Sequence, residues 1–376
     1  MSLAANAAAE VRLLLIGRGL RAFVDGYVAV LLPAYLLALG YDTWHVGLLS
    51  TATLLGSALA TLALGAWGHR AAPRTLLLVA FVGTLNPSAG DVSVFLPLEH
   101  ARLSLAAEGD LRTRLFARYS LTGALCAAIG ALAVGVPDAL AGFGVDRLLA
   151  LRLMFIAYAG SGVAICWLYA RLPERQPQGK AAAPAPLGPS RGIVVRLAAL
   201  FSVDAFAGGL VVNSMLALWL FERFGLSLTA AGAFFFWAGL LGALSQLAAP
   251  RLARRIGLLN TMVFTHIPSS LFLILAAFAT ELWLALALLL LRAALSQMDV
   301  PARSAYVMSV VTPPERAAAA SFTAVPRSLA AALSPTLAGL MFAGGWFAVP
   351  LVACGVLKIA YDLALWRSFR RQTFGG

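Results

Sequence analysis

The sequence predicts an all-α polytopic membrane protein built as two similar helical bundles, with about 11 membrane segments. Three observations predict it. Hydrophobic residues make up 61% of the 376 and charged residues 12%, with a mean hydropathy of +0.87. Apolar runs of membrane length recur between short basic stretches. The two halves also present the same features in the same order. No soluble globular domain needs that much apolar surface, and a bilayer-spanning helix takes about 20 such residues.

Ten spans follow from the apolar runs: 11–39, 45–67, 113–136, 149–171, 193–221, 228–249, 259–279, 282–309, 318–343 and 345–366. In a twelve-span numbering, 113–136 is span five and 345–366 is span twelve. Met1 to Glu10 holds no basic residue, and the first span exceeds a signal-peptide core, so it reads as a retained helix. The 34 Gly and 18 Pro fit spans better than soluble helices.

The halves are 1–172 and 193–376, joined by a Pro-, Ala-, Gly- and Gln-rich cytoplasmic linker, 173–192. Tyr35 to Gly47 lies on Leu220 to Gly232 at an offset of 185, which pairs Gly40 with Gly225; Leu54-Leu55-Gly56 then matches Leu240-Leu241-Gly242. From Asp91 the offset is 208, pairing Asp91 with Asp299, Leu121 with Leu329 and Leu125 with Leu333. The jump means that the first half is short by about 22 residues between Arg70 and Asp91, so span three is largely missing. About 30 residues cannot cross a hydrocarbon core twice. The segment 75–105 is therefore a re-entrant hairpin broken at Asn86-Pro87, a single span in a strained topology, or the mark of a truncated or mis-joined sequence.

The net charge of +12 comes from basic residues spread over alternate loops, not gathered on one face, which excludes a nucleic-acid partner. Arg70 and Arg74, Arg112 to Arg118, Arg171 to Arg196, Arg251 to Arg255, Arg316 and Arg367 to Arg371 mark one side; the loops at Tyr41–His45 and Gly344–Trp346 carry no Lys or Arg. This positive-inside pattern places both termini and the linker in the cytoplasm, in a multi-pass protein of the cell's inner (cytoplasmic) membrane. Cys126, Cys166 and Cys354 form no disulfide or metal framework. No phosphate-cradling glycine loop and no cluster with metal-ligand spacing is present, so the chain reads as neither an enzyme nor an ATP-driven pump, with no cofactor.

Four aspartates fall inside apolar stretches: Asp25, Asp91, Asp204 and Asp299. A carboxylate in lipid is costly and marks a protein interior or a water-filled path. Arg18, Arg21 and Asp25 share one helix face, with Arg21 and Asp25 at pairing distance. Arg292, Ser296, Asp299 and Arg303, spaced as on one helix face, form a second single polar stripe; a mid-span Arg292 needs a carboxylate or an anionic substrate. Asp91 follows the helix-weakening run Asn86-Pro87-Ser88-Ala89-Gly90. Lys358 and Asp362 read as an interfacial pair, Glu99 and His100 as interfacial, His266 before Pro268 as a packed or kink-satisfying ring, and Gln246 and Gln297 as cavity donors.

The two-half plan, the central linker and the loop Gly65-Ala66-Trp67-Gly68-His69-Arg70 resemble the major facilitator superfamily. In that loop Gly65, His69 and Arg70 fit the family pattern, while Gly68 stands at its acidic position. Ser334-Pro335-Thr336-Leu337-Ala338-Gly339 is similar to a relaxed form of the Gly-Pro bend of family antiporters, there found in span five. The resemblance implies a two-bundle fold with a pseudo-two-fold repeat. It also implies that spans one, four, seven and ten line a central cavity, and those are the spans carrying the four acids.

The expected function is secondary active transport of a small molecule by alternating access, carried out by a monomer in the lipid bilayer. The proton is the expected coupling ion, the substrate is anionic or amphiphilic, and the bend favours efflux. The pathway residues expected are Arg21, Asp25, Asp91, Asp204, Arg292, Asp299 and Arg303, with Gly65, His69 and Arg70 in a cytoplasmic gating loop. The alternatives are an uptake permease or uniporter, and a non-transporting sensor or inactive truncated protein.

Overall fold

The computed structural model describes residues 3–67, 99–100, 102–103, 109–172, 187–312 and 315–370, and these are helical almost throughout. In chain order the helices are α1 (Leu3–Ala38), α2 (Thr43–Trp67), α3 (Gly109–Leu132), α4 (Val136–Gly142), α5 (Arg147–Ala170), α6 (Arg191–Gly209) and α7 (Asn213–Phe224). They continue as α8 (Leu228–Ile256), α9 (Leu258–Ala277), α10 (Leu282–Ser296), α11 (Asp299–Val310), α12 (Arg316–Ala343) and α13 (Val349–Phe369). Nine stretches among the described residues are long and apolar enough to cross a membrane; α12, at 28 residues, makes a tenth long helix. Each of the ten expected spans coincides with one of these. Of the segment 75–105, only 99–100 and 102–103 lie among the described residues, and they are helical. Asp91, His69 and Arg70 lie outside the described residues, and Gly65 lies in the last turns of α2.

Two spans are divided, for local reasons. Span ten breaks between α10 and α11 at Gln297 and Met298. Pro301 has no N–H to offer the carbonyl four residues back, at Gln297, so the ladder of α10 ends there and a new helix starts with Asp299 in its first turn. The expected single stripe from Arg292 to Arg303 is therefore split between two helices. Span seven breaks between α6 and α7, after Gly208-Gly209. Gly209 is also where α6 meets α12: a Cβ there would overlap the Ser334 hydroxyl and the Ala331 carbonyl. Gly40 and Gly225, which pair in the repeat, both hold left-handed φ, +85° and +59°, just after the ends of α1 and α7. Only glycine adopts that conformation without steric cost, so the repeat extends to backbone geometry.

The chain forms two compact units. The first comprises Met1–Asp42, Ala52–Gly179 and Leu220–Phe236. It is held by very close approach of α1 to α3: a Cβ on Gly26 would overlap the Ala127 carbonyl, and one on Gly130 the Phe23 carbonyl. Helices in lipid gain little from hydrophobic association and rely on such small-residue contacts. Thr229 donates through its N–H and its hydroxyl to Asp138, both at 3.0 Å, which ties the start of α8 to α4 in this unit. The second unit comprises Thr43–Thr51, Lys180–Trp219 and Trp237–Gly376. The first turns of α2 belong to it because they pack on α12: Thr43 donates to the Gly339 carbonyl at 3.3 Å, and the Thr51 and Thr336 hydroxyls lie 2.8 Å apart. Its apolar core joins Val194, Leu197 and Phe201 of α6 to Met262 and Val263 of α9, Val307 of α11, and Tyr361 and Leu365 of α13.

Candidate functional site

Each unit buries a cluster of charged side chains. In the first, Arg21 of α1 makes a two-pronged ion pair with Glu99: Nη1 reaches Oε1 at 3.0 Å and Nη2 reaches Oε2 at 2.7 Å. The Tyr119 hydroxyl of α3 and the Tyr169 hydroxyl of α5 also donate to Glu99, and Arg21 donates to the Tyr169 oxygen at 3.0 Å. Glu99 is fully buried, so its expected interfacial place is corrected. The expected Arg21–Asp25 pairing is corrected as well. The guanidinium fork matches a carboxylate with two parallel bonds, and Glu99 takes both. Asp25, 7% exposed, is bonded by the Tyr158 hydroxyl. Its Oδ1 is buried and has no hydrogen-bond partner among the described residues, a cost of about 1–3 kcal/mol unless a donor or a proton reaches it. Arg18 lies over the Tyr119 ring, 5.2 Å from its centroid. Arg102 pairs with Glu10 at 2.9 Å.

The second cluster joins four helices. Asp204 of α6 is its hub: Lys358 of α13 donates to Oδ1 at 2.6 Å, and Arg303 of α11 donates to Oδ2 at 3.0 Å. Arg303 donates through the same Nη2 to Asp299, one turn earlier on α11. His266 of α9 places Nδ1 3.0 Å from Asp362 of α13, and Nε2 3.3 Å from the Lys358 ammonium and 3.8 Å from Asp204 Oδ1. Phe201 sits against the Arg303 guanidinium, centroid at 5.3 Å, and Tyr361 is edge-on to His266. These rings shield the charges on their apolar side.

Lys358 and Asp362 thus do not form the expected interfacial pair. Asp362 is fully buried and turned to His266, while Lys358 is turned to Asp204. Two residues four apart on a helix can pair, but here each finds a better-placed partner on a neighbouring helix. His266 is likewise held by charged side chains, and it satisfies no carbonyl freed by Pro268. Arg292 stays apart from the cluster: the Cys354 thiol is near it, and no carboxylate among the described residues pairs with it. Gln246 donates to Gln297 at 3.4 Å in an exposed contact.

Of the expected pathway residues, the structure brings together Asp204, Asp299 and Arg303, and separately Arg21 near Asp25. Glu99, His266, Lys358 and Asp362, read from the sequence as interfacial or packed, join these clusters, and so do Tyr119 and Tyr169, which the sequence did not single out. One signal for Lys358 was present: of the 28 Lys and Arg residues only two are lysines, Lys180 in the linker and Lys358 inside a span.

The comparisons agree with the fold. A family model for the Major Facilitator Superfamily matches residues 197–373. An uncharacterized membrane protein of Saccharomyces cerevisiae is 23% identical over 421 aligned positions, covering 96% of this chain and 94% of that protein. Among solved structures, the nucleoside transporter NupG superposes with a TM-score of 0.69 at 15% identity, covering 96% of this chain and all of that one. The inward-open xylose transporter XylE from E. coli gives 0.71 at 14%, covering 95% and 96%. An occupied, inward-facing bacterial homolog of the human lysosomal transporter Spinster gives 0.69 at 16%, covering 96% and 97%. The second half of this multi-pass membrane protein thus matches the Major Facilitator Superfamily model, and nearly the whole chain shares the fold of these solved transporters.

Proposed function

We propose that the protein is a secondary active transporter of the cytoplasmic membrane, with both termini in the cytoplasm, that couples proton movement to that of an anionic or amphiphilic small molecule by alternating access. The fold supports transport in general. The single observation that supports the chemistry is the bonding of Arg303. It uses only Nη2, for both Asp204 and Asp299, while Nε and Nη1 are buried with no hydrogen-bond partner among the described residues. A guanidinium with two unspent donors is suited to a carboxylate or phosphate. A proton on Asp299 removes one claim on that guanidinium and leaves it more positive toward an incoming anion. Departure of the anion restores the Asp299 pair and expels the proton. Substrate and the Asp299 carboxylate therefore compete for one cation, so a proton and an anion are bound and released together, and from the proline bend in α12 we assign the direction as efflux.

Asp299→Asn tests this. Asparagine keeps an acceptor for Arg303 but cannot cycle a proton. In reconstituted vesicles the variant should retain substrate binding and lose acceleration of transport by an imposed pH gradient. Transport that keeps its full response to the gradient in Asp299→Asn removes Asp299 from the coupling role.

A further inference from the structure

We propose that His266 and Lys358 form a proton-operated release: a proton on His266 takes Asp204 away from Lys358 and frees the ammonium for an anionic ligand. This rests on the transport reading above and adds a second cation to the same cluster.

The bonding fixes the ring's state. Lys358 can only donate, so Nε2, 3.3 Å from its ammonium, is the acceptor. Nδ1 then carries the hydrogen and donates to Asp362. His266 is therefore neutral in this arrangement. A proton arriving at Nε2 makes both ring nitrogens donors. Nε2–H then faces the ammonium, donor to donor and positive to positive. The acceptor within reach is Asp204 Oδ1, 3.8 Å away and occupied by Lys358 at 2.6 Å. That oxygen has lone pairs for two donors, but serving both would hold imidazolium and ammonium 3.3 Å apart, with Arg303 already at Oδ2, so like-charge repulsion drives one of them off.

The surroundings favour departure of the lysine over departure of the ring. The ring is anchored through Nδ1 to a fully buried carboxylate, whereas Lys358 is the most exposed charge of the cluster. Its side chain is 13% accessible, against 4% for Asp204 and 8% for Arg303. Gly208 of α6 leaves open the space beside the ammonium, where an added Cβ would come no closer than 3.8 Å. The residue type also fits. An arginine would hold Asp204 with a rigid fork, while lysine is a single charge on a flexible stem, and every other Lys or Arg within the spans is an arginine. The charged and titratable groups facing the site are Asp204 on α6, Asp299 and Arg303 on α11, Arg327 on α12, and Lys358, Tyr361 and Asp362 on α13. Arg292 on α10 stands by Cys354 at the margin. Histidine is the group in this set whose ordinary titration falls between pH 5 and 8.

The two-lysine composition provides a direct test. Purified protein is pulsed with acetic anhydride from pH 8 to pH 5.5, and acetylation of Lys358 is measured by mass spectrometry relative to Lys180, which corrects for the general loss of amine reactivity in acid. The relative reactivity of Lys358 should rise about tenfold on acidification, as expected for loss of a charge-assisted bond. In His266→Gln, which keeps a donor for Asp362 and an acceptor for Lys358 but takes no proton, the ratio should stay flat. A flat ratio in the wild type, or the same rise in His266→Gln, overturns the proposal. Should the variant fold poorly, deuterium exchange at the imidazole C2 position of His266 in the wild type gives its titration midpoint. That midpoint must coincide with the rise in Lys358 reactivity, and a separate midpoint also overturns the proposal. Neither measurement involves transport, so their failure leaves the transporter reading standing, and absence of transport leaves them readable.

Discussion

Replacing Gly130 by alanine is expected to part α1 from α3 and cost about 3 kcal/mol. An added Cβ would lie 2.7 Å from the carbonyl carbon and 2.9 Å from the Cα of Phe23, besides overlapping its carbonyl oxygen. Ordinary contact between carbon atoms begins near ~3.5 Å, so the helices must separate by roughly 1 Å. The obstacle is backbone, which cannot swing aside as a side chain can. A gap of that size forfeits roughly a quarter to a half of the dispersion energy of each contact along the seam, and inserting a methyl group into a packed core costs about 1–3 kcal/mol. The upper end applies here because Gly26 and Ala127 form a second such contact one turn away on the same seam. At roughly 2–4 °C per kcal/mol, the unfolding midpoint of the purified protein should fall by about 6–12 °C. Gly160→Ala in α5 is the matched control: Gly160 is exposed in mid-helix with nothing within 4 Å of an added Cβ. Alanine there should be neutral or stabilise by about 0.5–1 kcal/mol through helix propensity. Equal midpoints for the two variants would falsify the claim that this seam depends on glycine.

Glu99→Gln should destabilise the first unit by about 3–5 kcal/mol by leaving the Arg21 charge buried without its counter-ion; Arg21→Met/Glu99→Leu should recover most of that loss in a thermal double-mutant cycle. Glu315 should clamp the end of the linker to the loop before α12: it accepts the Gly188 and Ser190 N–H groups and the Thr312 hydroxyl, the last at 2.6 Å. The Ser190 hydroxyl first, then the Thr312 hydroxyl and the Gly188 N–H, push its carboxyl down to about 2, so the clamp is complete above the ordinary glutamate value of ~4.3 and is lost as pH falls through about 2. Amide exchange at Gly188 and Ser190 should accordingly be protected at pH 7, weaken in acid below that window, and be unprotected at pH 7 in Glu315→Gln. A single cysteine at Gly109, in a background without the three native ones, should be labelled by an impermeant thiol reagent from the cytoplasmic side if the segment before it folds back; labelling from outside alone would show that it crosses once.

The legible part of this protein was set by solvent and period. Long apolar runs had to be helices, because lipid leaves no other partner for their backbone groups, and all ten coincide with helices. Buried aspartates had to be paired, and Asp204, Asp299 and Arg303 do meet. What was missed concerns partner choice. Arg21 could reach Asp25 within its own helix or Glu99 from another segment, and only tertiary structure decides that. Lys358 and Asp362 sit at pairing distance on one helix, yet α9 and α6 bring each a better partner. Sequence spacing supplies possible pairs; burial of both groups against neighbouring helices selects among them. The division of span ten was visible in principle in Pro301, which removes one rung of the ladder and so splits the stripe that Arg292 was thought to share with Asp299.

The account's central claim is tested most directly by loading reconstituted vesicles with a pH-sensitive dye and adding carboxylate- and phosphate-bearing compounds in turn. A transported anion should carry protons the same way, acidifying or alkalinising the lumen according to the direction of the substrate gradient. Substrate movement with no accompanying pH change, or movement of neutral compounds alone, would contradict it.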